Sequence, residues 1–294
     1  MTFQKKLVLT SFRGPGFDHV RLVAAVILLH HCREIQYSDF QKDALLHYSA
    51  GYMDFGRFAV VIFFAISGFL VTAGLLRRAS VVDYAVHRGV RILPGPIVIV
   101  LLAMLVLGPL LTTLSPASYF SDPKTYLYAK NISTSMVRYL PGVLANDGKP
   151  IVVNGALWTL HFEALCYIAL GLVAAFGLLW RRASVVGLWA LSYAIYVALE
   201  KNPAFAGMLS DRFLIFISLY VFFGSGILLY LYRERVPRSP IWACAALALV
   251  LVALPLGGGA IVMPICLPYL TVFVDCRCFQ RDFRLNTISP KACI

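Results

Sequence analysis

The chain has 294 residues, of which 60% are hydrophobic and only 14% charged, and its mean hydropathy is +0.79. This excludes an ordinary soluble domain, which would expose large apolar patches and aggregate. The net charge of +12 does not point to nucleic acid, because Lys and Arg gather in short clusters at the ends of apolar blocks instead of covering one soluble face.

Eight apolar blocks are read as spans of a hydrocarbon core roughly 30 Å thick. They lie at about 17 to 35, 58 to 76, 95 to 113, 156 to 179, 183 to 199, 213 to 232, 240 to 256 and 258 to 275. The expectation is an all-α, polytopic transmembrane helix bundle forming one domain over residues 1–275, with a polar tail at 276–294. Lys5 and Lys6 precede the first block, but no apolar stretch ending in a small-residue cleavage site follows them, so that block is expected to stay as a span.

Every second connection is basic. Arg77, Arg78, Arg88 and Arg91 lie between the second and third spans, Arg181 and Arg182 between the fourth and fifth, and Arg233, Arg235 and Arg238 between the sixth and seventh. With Lys5, Lys6 and Arg13 they place both termini in the cytoplasm, the side on which Lys and Arg accumulate. The long connection at about 114 to 155 carries Asp122, Lys124, Lys130, Arg138, Asp147 and Lys149 and is rich in Pro, Gly, Ser and Asn. It is expected outside, as an irregular cap over the bundle. The seven cysteines show no zinc spacing: Cys276 and Cys278 have no second pair or nearby histidine, and no metal is expected.

Ionisable groups at membrane depth cost on the order of 3 kcal/mol, so each needs a reason. In the first span, Asp18, His19 and Arg21 open an apolar run that ends at His30 and His31. They either anchor the span in the headgroups or include a base, since histidine titrates near neutrality. Ser67-Gly68 in the second span is either a close helix contact or part of a cavity. Arg88 and Arg91 in the following basic loop set the topology, or, three apart on one helical face, grip phosphate oxygens. Glu163 lies inside the fourth apolar block, downstream of Asn154 and Trp158, and is expected to face the bundle and pair or take up a proton.

In this order the four segments resemble the acyltransferase-3 family of integral-membrane O-acyltransferases, which modify bacterial surface polysaccharides, lipopolysaccharide and related glycans. Asp18-x-x-Arg21 followed by a histidine looks like the family's opening, and Phe63 to Leu70 matches its Phe-Phe-x-x-Ser-Gly-Phe-Leu element. Arg88 and Arg91 match its Arg-x-x-Arg pair, and Trp158 to Glu163 is similar to its Trp-(Ser/Thr)-Leu-x-x-Glu element. The likeness covers roughly residues 15 to 275.

The resemblance implies an enzyme of the bacterial inner membrane that moves an acyl group, usually acetyl, from cytoplasmic acyl-CoA to a carbohydrate hydroxyl at the outer face. In that scheme a histidine, His31 or His30, removes the hydroxyl proton. Glu163 lies near the reaction centre, and Arg21, Arg88, Arg91 and Ser67 belong to the donor site. No tightly bound cofactor is implied, and the partners are acyl-CoA, the carbohydrate acceptor and the lipid bilayer.

One departure concerns register. The family's arginine and histidine are eleven positions apart, about three helical turns, whereas Arg21 to His31 is one residue short. At roughly 100° per residue His31 is turned about 80° from Arg21, His30 lies about opposite, and Cys32 holds the in-register place. A tight or wide turn restores the alignment, and His31, the nearest, is taken as the base.

The competing readings are a glycan or lipid transporter, which would show paired broken helices in matching halves, and a non-catalytic membrane subunit. With eight spans where the family commonly has about ten, and a polar segment after Val274 too short to span, the chain is also expected to be a shortened version of that architecture.

Overall fold

The computed structural model describes residues 16–37, 43–77, 80–133, 137–143, 152–153, 155 and 157–287, with backbone alone at 16–18, 32–37, 133 and 275–287. Lys5, Lys6, Arg13, Arg78, Asp147, Lys149, Asn154 and Cys293 lie outside the described residues, as do the side chains of Asp18, Cys32, Cys276 and Cys278.

The described residues build an all-helical fold. In order the helices are α1 (Gly16–Tyr37), α2 (Ala44–Tyr48), α3 (Phe55–Leu76), α4 (Val81–Ile92), α5 (Pro94–Leu102), a π-helical turn (Ala103–Leu107), α6 (Gly108–Leu111), α7 (Pro116–Ser121) and α8 (Pro123–Leu127). A 3-10 turn (Tyr128–Ser133) leads on to α9 (Leu157–Ala175), a second 3-10 turn (Leu178–Trp180), α10 (Arg182–Lys201), α11 (Pro203–Ala206), α12 (Asp211–Leu231), α13 (Pro240–Ala253) and α14 (Gly259–Thr287). No strand forms among the described residues; Thr112 and Val143 make one isolated bridge.

Among the described residues, five helical stretches are long and apolar enough to cross a membrane: Phe55–Leu76, Val81–Leu111, Leu157–Ala175, Arg182–Lys201 and Asp211–Leu231. His19–His31, Pro240–Ala253 and Gly259–Val274 are apolar but shorter. The outward faces remain apolar, with Leu22, Val98, Leu110, Leu191, Ile241 and Val252 all exposed, as expected where lipid is the solvent. The chain is a multi-pass membrane protein.

The chain divides into two compact units, residues 1–76 with 176–294 and residues 77–175. In the first, α3 and α12 pack closely because each sets a glycine against the other's backbone. A Cβ on Gly68 would fall on the Phe223 carbonyl, and a Cβ on Gly226 on the Ala65 carbonyl. A core of Tyr196, Leu199, Ile217, Val221 and Ala260 joins α10, α12 and α14. Pro268 in α14 has no N–H for the Pro264 carbonyl four residues back. The Ser225 hydroxyl of α12 donates to that carbonyl at 2.5 Å, supplying the bond that lipid cannot.

In the second unit the stretch read as a basic loop is instead helical. Ser80 caps α4 by accepting the Asp83 N–H at 3.0 Å. The prolines that suggest a break, Pro94 and Pro96, fall in the first turn of α5, where a missing N–H has no partner to lose. The long connection packs against α5 and the π turn through Val100, Ala103, Met104, Tyr119, Tyr128, Leu140 and Val143. The Tyr119 hydroxyl donates to the Met104 carbonyl at 2.9 Å, satisfying a group in the widened π turn.

Candidate active site

The first-unit site begins with His31, at the far end of the apolar run of α1. His31 is 7% exposed, while His30, one position earlier, is exposed. Both ring nitrogens of His31 face carboxylates: Nδ1 lies 3.3 Å from Asp43 Oδ2 and Nε2 lies 3.4 Å from Asp54 Oδ1. Sequence reading missed both aspartates. Each is placed by the helix that it starts. Asp43 caps α2, its Oδ1 accepting the N–H groups of Leu45 and Leu46 at 2.8 and 3.0 Å. Its Oδ2 accepts the Phe55 N–H at 3.0 Å. Asp54 precedes α3, its Oδ1 accepting the Arg57 N–H at 2.6 Å. Both are helix-cap contacts, so starting α2 and α3 delivers the carboxylates to the imidazole.

Gly56 completes the close fit, since a Cβ there would lie 2.7 Å from His31 Nε2 and press on Cδ2. The α3 end is braced against α10, where Arg57 pairs with Glu200 at 2.6 Å and also donates to the Tyr52 carbonyl at 3.0 Å. The Tyr52 and Tyr196 hydroxyls meet at 2.5 Å. Burial pushes the Tyr52 hydroxyl up to about 12 against the opposing pull of Arg57, so it stays protonated at neutral pH. Of the other residues singled out in the sequence, Ser67 is 4% exposed within α3, and Arg21 is partly buried on α1.

His31, Asp43 and Asp54 offer ligand atoms within 4.8 Å of one another. An ion there would take one ring nitrogen and the two carboxylates, whereas the two ring contacts leave from different nitrogens. The arrangement suits proton handling: a carboxylate on one nitrogen fixes the tautomer and supports the imidazolium formed when the other accepts a proton.

The second unit holds a separate cluster. Tyr167, one helical turn beyond Glu163 on α9, donates its hydroxyl to Glu163 Oε1. The Arg88 guanidinium lies over the Tyr167 ring at 5.6 Å and the Tyr84 ring at 5.9 Å, a cation–π arrangement, and the Tyr84 hydroxyl donates to the Tyr167 carbonyl at 3.2 Å. Sequence reading placed Arg88 and Glu163 but not the tyrosines between them. Arg91 is exposed on α4, outside this cluster. Trp158 packs edge-on against Phe162 at 5.9 Å.

A family model described as an acyltransferase domain matches residues 15–280. The chain belongs to this acyltransferase family. The acyltransferase domain is 34% identical over 166 residues to an O-acetyl transferase of Shigella phage Sf6, covering 54% of this chain and 45% of that protein. It is 30% identical over 189 residues to nodulation protein 10 of Rhizobium leguminosarum bv. viciae, covering 61% of this chain and 50% of the relative. The chain thus spans about half the length of these curated relatives. No solved structure matches it significantly.

Proposed function

We propose that this chain transfers an acyl group, acetyl in the simplest case, from acyl-CoA to a hydroxyl of a cell-surface or lipid-linked carbohydrate, at a bacterial inner membrane. The observation that carries the reading is a buried imidazole held between two carboxylates in a chain of an acyltransferase family. The names of its relatives, one an O-acetyl transferase, support the same chemistry.

In this mechanism Asp43 holds the Nδ1 side of His31, and Nε2 takes the acceptor's hydroxyl proton. The hydroxyl oxygen attacks the thioester carbonyl; a C–O bond forms, the C–S bond breaks, and the proton on Nε2 passes to the departing CoA thiolate. Arg88, Arg91 and Arg21 hold the donor's phosphates, for which guanidinium geometry is suited. Ser67 lines the donor path, and Glu163 with Tyr167 orders the face on which Arg88 stacks. The eight apolar helices are all membrane-embedded, with both termini cytoplasmic.

The test uses purified full chain in lipid nanodiscs with labelled acetyl-CoA and a panel of bacterial glycans. Labelled glycan should form, and His31→Ala should abolish it. If acetyl-CoA is neither bound nor consumed with any acceptor, the chain is a transporter or a non-catalytic subunit instead.

A further inference from the structure

Three arginines of the first unit meet two tyrosine rings where α12 ends, and they are not used alike. Arg233 follows α12 and donates from Nη1 to the Tyr230 carbonyl at 2.9 Å, with its guanidinium 4.4 Å from the Tyr230 ring. That is a cation closing a helix C-terminus, where orphan carbonyls and the helix dipole favour positive charge. Arg182 and Arg235 close nothing. Arg182 opens α10 and Arg235 stands in the connection between α12 and α13, yet both guanidinium groups lie over the Tyr232 ring, at 5.7 and 6.0 Å. Both residues are exposed, and among the described residues neither has a carboxylate or hydrogen-bonding partner.

Two like charges gathered about one ring repel each other, and an anion relieves them. The free N–H forks of a guanidinium match phosphate oxygens, and the surroundings say which phosphate. Trp180, two positions before Arg182, is 69% exposed, and Trp242 at the start of α13 is 59% exposed. Exposed indole rings beside exposed arginines suit the boundary of a bilayer, where tryptophan sits at headgroup level and arginine reaches for phosphate. Apolar surface continues along both helices, with Leu191 of α10 and Val252 of α13 exposed, so acyl chains have a face to follow.

We propose that Arg182 and Arg235, gathered about Tyr232, bind the phosphate of an anionic phospholipid headgroup in the leaflet that these basic connections face. Phosphatidylglycerol brings an uncompensated negative charge, whereas phosphatidylcholine brings its own cation and gains less. The site requires neither acyl-CoA nor an acceptor, and it stands whether or not His31 is the base.

The test places the full chain in nanodiscs of equal parts phosphatidylglycerol and phosphatidylcholine and counts the lipids that stay bound by native mass spectrometry. The wild type should retain phosphatidylglycerol over phosphatidylcholine by about tenfold or more. Arg182→Gln and Arg235→Gln should each weaken that preference and together abolish it. Arg181→Gln removes one exposed charge beside the site and should leave the preference intact. Tyr232→Leu keeps every charge that directs insertion, and should weaken the preference by releasing the two guanidinium groups. Equal retention of the two lipids by the wild type overturns the proposal without needing any variant. So does a preference that survives in the double variant, or an equal loss in Arg181→Gln and Arg182→Gln, which would make the effect one of diffuse charge. If inorganic phosphate or acetyl-CoA displaces the bound phosphatidylglycerol, the arginines take a soluble phosphate and the lipid assignment fails.

Discussion

His31 and His30 are adjacent in sequence but differ in burial, which makes them a natural pair for separating chemistry from anchoring. His31→Ala is expected to lower turnover by roughly a hundredfold or more at unchanged membrane yield, and exposed His30→Ala to stay near wild type. Asp43→Asn keeps a capping side chain but loses the partner of Nδ1, and should lower kcat by about 10² to 10⁴ with little change in KM. In the second unit, Arg88→Ala should weaken acetyl-CoA binding, with a difference that shrinks as salt rises. Arg88→Lys should rescue it poorly, because an ammonium does not stack on Tyr84 and Tyr167 as a planar guanidinium does. Isothermal titration in nanodiscs at two salt concentrations measures both. Histidine, arginine and glutamate stood out in the sequence by type and by position in or beside apolar blocks. Asp43 and Asp54 were not, since they sit in a short polar connection where carboxylates are commonplace. Their meaning lies in a contact across the fold with a residue more than ten positions earlier in the chain.

At the scale of helices, the closest packing is the most sensitive to added volume. Gly68→Ala or Gly226→Ala drives a methyl group into a facing backbone carbonyl, and each should cost about 1–3 kcal/mol by overpacking, seen as a lower melting temperature in detergent. Gly89→Ala on α4 meets nothing within 4 Å and should stabilise by about 0.5–1 kcal/mol, the ordinary gain for a glycine inside a helix. The Ser67-Gly68 pair was readable in the sequence as a contact or a cavity. The structure supplies the contact for Gly68, because the backbone it meets, at Phe223, stands far along the chain. The helical path of residues 81–111 was hidden by Gly89, Pro94 and Pro96. These are break signals in isolation, and harmless where the two prolines occupy a first turn.

Across the whole molecule, hydropathy exposed the apolar blocks, since lipid demands continuous helices. Five of the eight form helices of full crossing length; the other three form shorter ones, and length alone does not state their depth. The basic connections predict which side each faces. Asp122→Cys and Asn202→Cys should react with a membrane-impermeant maleimide in intact cells, whereas Arg182→Cys and Arg235→Cys should react only after permeabilisation. The opposite pattern would invert the bundle, and with it the side from which the acceptor approaches His31.

Two selections act on the same side chains at Asp43 and Asp54, because each starts a helix and each faces the imidazole. Helix initiation accepts any good cap, so Ser, Thr or Asn at either position should still give well-inserted protein. The chemistry accepts only a carboxylate. A saturation library sorted once for membrane yield and once for acyl transfer should therefore show a broad tolerated set in the first sort and a single residue in the second. Variation within a lineage that drifted toward the cap-forming set at these two positions would mark chains that had kept the bundle and given up the reaction.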